Sequence, residues 1–522
     1  MAEQSPIIIG EGAYGCVHRP SLKCKNKPRI SYLNKTSKIM SKSSAMEELK
    51  EYKNVKKADP NNNFYLGVPE SCDTDDKLPS NVSAALRCKL VNNVPSFMNF
   101  LKSSKLIIMG DGGMNVLQYV QTTKTWPLNH ASQHKCELFL LDCLRLFHGI
   151  LQFKKAGIVH HDLKPQNIVY NEAENRVNII DFGLMEKKKD ILKNADQNNY
   201  HRGTEMWFNF PWEIEFLQKN KFQKLKQSSS FTNEFDKKKT KMEDPDEHEG
   251  KHVLFFITYL LGKTDTSVMQ TDYGIDTFRN FLKSYKYFYT EDIADSNYDY
   301  KTFAEKCSDT IDSYGLGFTL LYWLNSTAKY LDLMGGRDSL SGELRTCLYQ
   351  MVSPWVSSRD RIEVSIVKFE QILEKFGLPA KHGMKIVNHT LLPIGASVSE
   401  KNEPIKVRLP KRIKIDKQLV EIDPPECPEG KELNPKTKRC VKICKKGFAR
   451  NDSFKCVKQV TDSSVLRFYE KIKVKQSEKE KKQAIKEEMK QLKLKEKQLQ
   501  RKRCPNGTRK NPKTGNCEKI HN

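Results

Sequence analysis

The sequence has no apolar run of about 18 residues, so no membrane-spanning helix is expected. Its first residues, MAEQSPIIIGEG, lack a basic stretch followed by a long apolar one, which argues against a secretory signal. Together these absences point to a reducing, intracellular compartment. Acidic residues are scarce at one end only. Residues 401–522 hold 36 Lys+Arg against 16 Asp+Glu, so most of the chain's net charge of +25 sits there and the first 400 residues are nearly balanced. Six of the 14 cysteines lie between Cys427 and Cys517, without the C-x2-C spacing and nearby histidines of a zinc site. At 522 residues, 38% hydrophobic and 29% charged, the chain has room for a large folded domain plus extensions.

The densest chemistry lies in residues 158–183, IVHHDLKPQNIVYNEAENRVNIIDFG. Asp162 follows His160 by two residues in a polar loop, with Lys164 and Asn167 close behind. Two short apolar strands, 168–170 and 177–180, then lead to Asp181-Phe182-Gly183. Phosphoryl transfer needs this set: one carboxylate to orient a hydroxyl, an amide oxygen and a second carboxylate for a metal ion, and a lysine to offset charge. HxDLKPxN followed by DFG resembles the eukaryotic-type protein kinases. The resemblance implies an α+β bilobal fold, a β-rich small lobe and a mainly helical large lobe, with ATP and Mg²⁺ as cofactors. It also implies Asp162 and Lys164 as catalytic residues, Asn167 and Asp181 as metal ligands, and Ser/Thr side chains of proteins as acceptors. His161 stands where the family has an arginine that clamps a phosphorylated activation segment, so control by that phosphorylation is not expected.

Ile9 to Val17, IGEGAYGCV, fits a Gly-rich loop over ATP phosphates, with Gly10, Gly12 and Gly15 allowing close backbone approach and Ile9 and Val17 beside them. The phosphate-binding lysine of the third strand is read as Lys38, with Lys35 as the alternative, because V-A-I-K is absent. Its glutamate partner is read as Glu51 in preference to Glu48, since Ser44 to Glu47 resembles a capping box that starts the helix. Residues 64–66 and 83–91 read as strands, 105–109 as the strand to a hinge at Gly110–Gly113, and Ile108 and Met109 as its pocket border. Lys135 to Ala156 reads as one helix with Leu140, Leu144, Phe147 and Leu151 inward.

By the same resemblance, Thr204 would bridge Asp162 and Lys164, Asp312 would brace the catalytic loop, and Glu213 would pair with Arg361. The stretch between Glu213 and Asp312 is far longer than in ordinary kinases. Its charged half, 219–251, reads as a mobile surface excursion, and its aromatic half as packed.

The expected organisation is a kinase domain over 1–380 (small lobe about 1–110, large lobe about 111–380, insertion about 214–308) and a basic linker over 381–425. Cysteine-pair repeats over 426–457, a charged helix over 458–503 and a last repeat over 504–517 complete it. The repeat C-P-x-G-x-x-x-N-P-x-T-x-x-C, in Cys427–Cys440 and Cys504–Cys517 with a degenerate copy at Cys444–Cys456, resembles the two-cysteine adaptor module of large DNA viruses, best known in iridoviruses. That resemblance implies recruitment of viral structural or host proteins in the infected-cell cytoplasm, with virion association as a variant. Three states of the cysteines stay open: disulfide loops worth about 3 kcal/mol each, free thiols, and zinc. The basic tail suits acidic partners; nucleic acid is a weak alternative, since aromatics for base stacking are few. A pseudokinase and a basic scaffold protein are the rival readings.

Overall fold

The computed structural model describes residues 5–12, 15–26, 31–89, 96–201, 208–263, 265–333, 339–395, 431–433, 440–442, 448–450, 456–458, 508–511 and 516–519. The chain opens with an antiparallel five-stranded sheet of order β1-β2-β3-β5-β4. Its strands are β1 (Ile7–Gly12), β2 (Gly15–Arg19), β3 (Lys35–Met40), β4 (Glu70–Asp73) and β5 (Lys105–Gly110). Helix α1 (Lys42–Ala58) follows β3, and α2 (Pro79–Ala85) and α3 (Phe97–Ser103) precede β5. Strand alternation gives the sheet two apolar faces. Leu106 and Ile108 join Cys16, Ile39, Ala84, Ala85 and Leu101 on one face, while Ile107 meets Met40 and Ala45 on the other. Ile108 therefore sits in this core and not at the pocket border expected for it. The predicted strand 83–91 is also corrected. Pro79 in the first turn starts α2, and that helix buries Asn81, Ala84 and Ala85. Residues 64–66 contribute a single bridge, Tyr65 to Ile179, rather than a strand.

Past β5 come β6 (Met114–Asn115), α4 (Val116–Thr123), α5 (His130–Asp142) and α6 (Leu144–Lys155). The single helix expected over 135–156 is thus two segments meeting at Cys143, and the Asn129 side chain caps the first. Strands β7 (Ile158–Val159), β8 (Ile168–Asn171) and β9 (Arg176–Ile179) frame the catalytic loop. Next are β10 (Glu186–Lys187) and α7 (Lys188–Asp196), then α8 (Lys219–Lys226), α9 (Phe231–Met242), α10 (His248–Leu260) and α11 (Asp272–Tyr287). The large lobe is completed by α12 (Tyr300–Leu331), α13 (Leu340–Met351), α14 (Ile362–Lys375) and α15 (Leu378–Lys381). α12 is its axis: it buries most of its length and passes so close to the catalytic loop that a Cβ on Gly315 would lie 2.6 Å from the Leu163 carbonyl oxygen.

The charged half of the insertion is helical, not a loose excursion. Phe222, Leu225, Phe235 and Met242 are buried. Lys238, 9% exposed at its side chain, pairs with Glu215 at 2.6 Å and Glu249 at 3.3 Å. Charge along 219–251 misleads because some of it is satisfied inside. Trp212 anchors the aromatic half, with rings of His252, Phe256, Phe281 and Tyr285 around it.

The expected linker begins later than predicted, because β11 (Met384–Val387) and β12 (Thr390–Pro393) form a hairpin. Asn388 and His389 at its turn both have positive φ (48° and 63°), as a two-residue hairpin turn requires. In the tail each repeat folds as an antiparallel hairpin, pairing Leu433 with Cys440, Arg450 with Cys456 and Lys510 with Cys517. Cys517 is disulfide-bonded, so this cysteine is neither a free thiol nor a zinc ligand. The charged helix predicted over 458–503 lies outside the described residues beyond Lys458.

Candidate active site

The site grows from three local structures. In β3, Lys35 and Lys38 are three residues apart and so face opposite ways. Lys38 lines the cavity and is 8% exposed, whereas Lys35 sits at the strand's outer end. The Lys38 ammonium is 2.7 Å from Glu48 Oε2 and 3.4 Å from Asp181 Oδ1.

The partner is Glu48, which corrects the choice of Glu51. The N-cap of α1 is Ser41, whose hydroxyl accepts from the Ser44 amide, and Glu47 is exposed. The buried stripe then runs Ala45, Glu48, Tyr52, Val55, spaced by three and four residues. Glu51 falls on the flank, where its carboxylate accepts from Asn54 Nδ2 at 2.9 Å. The Ala45-Tyr52-Val55 spacing was the sequence signal for this phase.

The catalytic loop is fixed by its own side chains and by α12. The Asp312 carboxylate accepts from the His160 and His161 amides at 2.7 and 3.0 Å. Tyr314 lies under the Arg359 guanidinium. The His160 ring sits 3.1 Å from the Ile180 carbonyl oxygen and 3.2 Å from the Asp162 amide, tying the loop to the strand before Asp181. Asp162 Oδ2 accepts from Lys164 Nζ at 2.7 Å and from Asn167 Nδ2 at 2.9 Å. Asn167 Nδ2 also donates to the Asp162 carbonyl at 2.8 Å, so the amide oxygen is the part of Asn167 left for another ligand. His161 and Asp181 both take left-handed backbone (φ 71° and 63°), an arrangement costing on the order of 1 kcal/mol or more each that the surrounding bonds must hold.

Phe182 packs edge-on against Tyr52, Tyr65 and Phe153, which joins the small lobe to the large one. This leaves Asp181 turned toward Lys38. Burial alone would push the Asp181 pKa up, but Lys38, His160 and Lys164 together outweigh it and hold the carboxyl below the ordinary range. Burial likewise opposes the charge on Lys38, and Asp181 and Glu48 overcome it and raise the lysine's pKa. Both groups are therefore ionised at neutral pH.

A cavity of about 300 Å³ lies over this constellation, lined by Ile9, Gly10, Gly12, Gly15 and Val17 above and by Asn167, Val169, Ile180 and Asp181 below. At Gly15 a Cβ would fall 2.2 Å from the Ile39 carbonyl oxygen, so the loop's approach to β3 demands glycine there. Met109 and Gly113 edge the cavity at the expected hinge. Arg19, unnoticed in the sequence, pins that hinge through Asp111 and the Gly113 carbonyl. Two oxygens suited to a hard cation, the Asn167 amide and the ionised Asp181 carboxylate, face the same cavity and fit Mg²⁺ chemically.

Other expectations change in detail. Thr204 lies outside the described residues; among them, Asn209 Nδ2 donates to Asp162 Oδ1 and the Leu163 carbonyl, both at 3.2 Å. Glu213 pairs with Arg359, not Arg361. The guanidinium forms two parallel bonds, 2.7 and 2.8 Å, with both groups fully buried. Arg361 occupies the N-cap position of α14 at the surface, with no capping bond from its side chain. His161 Nε2 is 2.9 Å from the Tyr200 hydroxyl, and Gln218 Nε2 donates to the Tyr200 carbonyl at 2.6 Å. Two further pairs went unread in the sequence: Cys16–Cys88 and Cys24–Cys72 are disulfide-bonded across the small lobe, which an expectation of a reducing compartment did not anticipate.

Residues 5–232 match the family described as protein tyrosine and serine/threonine kinase. Over 60 residues the chain is 40% identical to a probable casein kinase II subunit alpha homolog of Encephalitozoon cuniculi, a span of 11% of this chain and 18% of that protein. Over 87 residues it is 39% identical to a putative mitogen-activated protein kinase 14C of Drosophila melanogaster, covering 17% and 21%. Over 54 residues it is 44% identical to mouse eukaryotic translation initiation factor 2-alpha kinase 1, covering 10% and 8%. The chain thus spans less than a quarter of each of these relatives. The matched span, folded around the cavity and the Lys38–Glu48–Asp181 contact, identifies a protein kinase domain similar to serine/threonine kinases.

Proposed function

We propose that this protein transfers the γ-phosphoryl group of ATP to serine or threonine side chains of proteins. The observation that carries the reading is Lys38 held between Glu48 and Asp181 at 2.7 and 3.4 Å, since a phosphate-binding lysine and a metal-binding carboxylate must be in place together for this chemistry. ATP would lie under the Gly-rich loop, its base between Val17 and Val169 and its phosphates toward Lys38. Asp181 and the Asn167 amide oxygen would hold Mg²⁺, which when bound neutralises charge on the phosphates. Asp162 orients the acceptor hydroxyl and takes its proton, and Lys164, 2.7 Å away, offsets charge on the transferred group. Lys164 in the sequence D-L-K-P-x-N favours Ser/Thr over Tyr acceptors by resemblance.

The repeats and the basic tail support a recruiting role: small hairpins on a charged tether raise the local concentration of a substrate. Their resemblance to the two-cysteine adaptor module favours viral structural or host proteins as partners, in the cytoplasm of an infected cell or in the virion.

The test is transfer from radiolabelled ATP by the purified full chain beside Asp162→Asn. Incorporation into phosphoserine and phosphothreonine, lost in the variant, is the expected result. Nucleotide binding without transfer by the unaltered chain would replace the proposal with the pseudokinase reading.

A further inference from the structure

A second cluster of ligand-bearing side chains lies on the large lobe, away from the cavity. His134 and Glu137 stand three residues apart on α5 and so share a face. His382, immediately after α15, is brought against them by the turn at the end of the kinase domain. One ring nitrogen of each histidine and one Glu137 carboxylate oxygen all lie within 4.8 Å of one another. Glu137 Oε2 is 2.9 Å from His382 Nε2, and the two imidazoles sit with ring centroids 4.9 Å apart. The Glu137 and His382 side chains are only 5% and 4% exposed, whereas His134 is exposed and opens the cluster to solvent.

We propose that His134, Glu137 and His382 form a binding site for a divalent transition-metal ion of the zinc class. Two imidazoles and one carboxylate match that class, whereas Mg²⁺ and Ca²⁺ prefer all-oxygen sets. Three protein ligands leave a fourth position, on the exposed His134 side, for water. The ligand atoms would have to close onto an ion at roughly 2.0–2.2 Å, and the exposed His134 has the most room to turn. Glu137 is already oriented: Oε1 accepts from Lys381 Nζ at 2.7 Å, leaving Oε2 toward the histidines. The same ammonium opposes the ion's charge. Lys381 is half-exposed and can swing into water when the ion binds, so it sets the affinity without blocking the site.

The ion would join α5 to the segment from which the β11–β12 hairpin departs. That hairpin is already held by His389, whose Nδ1 is 2.8 Å from Glu370 Oε1. An ion at His382 would add a second fastening just before it, stiffening the end of the domain from which the tail continues. The other ligand-bearing group among the described residues, Glu11, Cys16 and Cys88, is not equivalent, because its two sulfurs are bonded to each other.

The experiment titrates the full, chelator-treated chain with cobalt(II) alone, and separately with zinc while following thermal unfolding. Cobalt held by a cysteine thiolate elsewhere in the chain would show a near-ultraviolet thiolate-to-cobalt band, whereas this site gives visible bands without one. The expected result is such a thiolate-free spectrum and a zinc-dependent rise in the unfolding midpoint. Both weaken by roughly tenfold or more in affinity in His134→Ala and in His134→Gln, two changes at an exposed position that spare the apo fold. Lys381→Met should tighten binding, since it removes the opposing ammonium. Equal affinity in the His134 variants and the unaltered chain, or cobalt spectra of thiolate type only, would overturn the assignment.

Discussion

Lys38 has two carboxylates to choose between, and the catalytic arrangement depends on its sharing them. Glu48 is the nearer by 0.7 Å and is almost fully buried, so it takes up the ammonium and leaves Asp181 free to turn into the cavity. Replacing Glu48 with Gln removes that hold, and Lys38 then closes on Asp181 and competes with any cation there. Displacing both groups by about 1 Å should lower kcat/KM on the order of a hundredfold. Glu51→Gln touches only the Asn54 contact on a partly exposed flank and should stay within roughly twofold of the unaltered enzyme. Steady-state kinetics on the two variants decide between the glutamates, and equal losses would refute the assignment. Arg359 presents a second residue-scale contrast. Its bidentate pair with Glu213 is wholly buried, so Arg359→Ala strands a charge in the interior and should cost about 3–5 kcal/mol. Arg361→Ala, at the surface two residues on, should cost within about 0.5 kcal/mol. Urea unfolding of the two variants measures both, and a small loss at Arg359 would mean that Glu213 has another partner.

Elements are legible in sequence where their pattern is local. The catalytic loop was readable because Asp162, Lys164, Asn167 and Asp181 carry their chemistry at fixed spacings, whatever packs around them. The phase of α1 was not, because Glu48 and Glu51 are three residues apart on neighbouring rows of the helix, and packing of the Ala45–Tyr52–Val55 stripe, not the cap, decides that Glu48 is the one turned inward. The insertion was misread for a similar reason: the partners of Lys238 lie before and after it, on Glu215 and Glu249, and only the fold unites them. The activation segment shows the same non-local logic. In place of a phosphate clamp, His161 meets the Tyr200 hydroxyl, and Gln218 meets the Tyr200 backbone. Lys188 anchors the start of α7 to Glu305 and Asp309 at 2.5 and 2.6 Å. These side chains supply contacts to the described part of the segment without a phosphate. Phosphatase treatment before assay should therefore leave the rate unchanged. A large loss that re-phosphorylation restores would show that the His161–Tyr200 contact is not sufficient.

At the scale of the whole molecule, chemistry and charge are separated along the chain. Among the described residues, those lining the cavity and those named above as bracing it fall between Ile9 and Arg359, in a region of nearly balanced charge. Residues 401–522 carry most of the net +25 together with the three cysteine repeats, each of which holds a short antiparallel hairpin. The domain also closes before the tail begins: α15 and the β11–β12 hairpin are fixed by Lys381 and His382 on Glu137 and by His389 on Glu370. Cutting after residue 400 leaves all three contacts in place. Removal of residues 401–522 should therefore keep turnover on a generic basic substrate close to that of the full chain. It should abolish the part of partner binding that weakens as salt rises, because that part comes from the lost basic residues. Both assays run on the same two proteins, turnover first and then binding to an acidic protein surface at low and high salt. A collapse of turnover would make the tail part of the catalytic unit, and unchanged salt-sensitive binding would place the recruiting charge on the kinase domain itself.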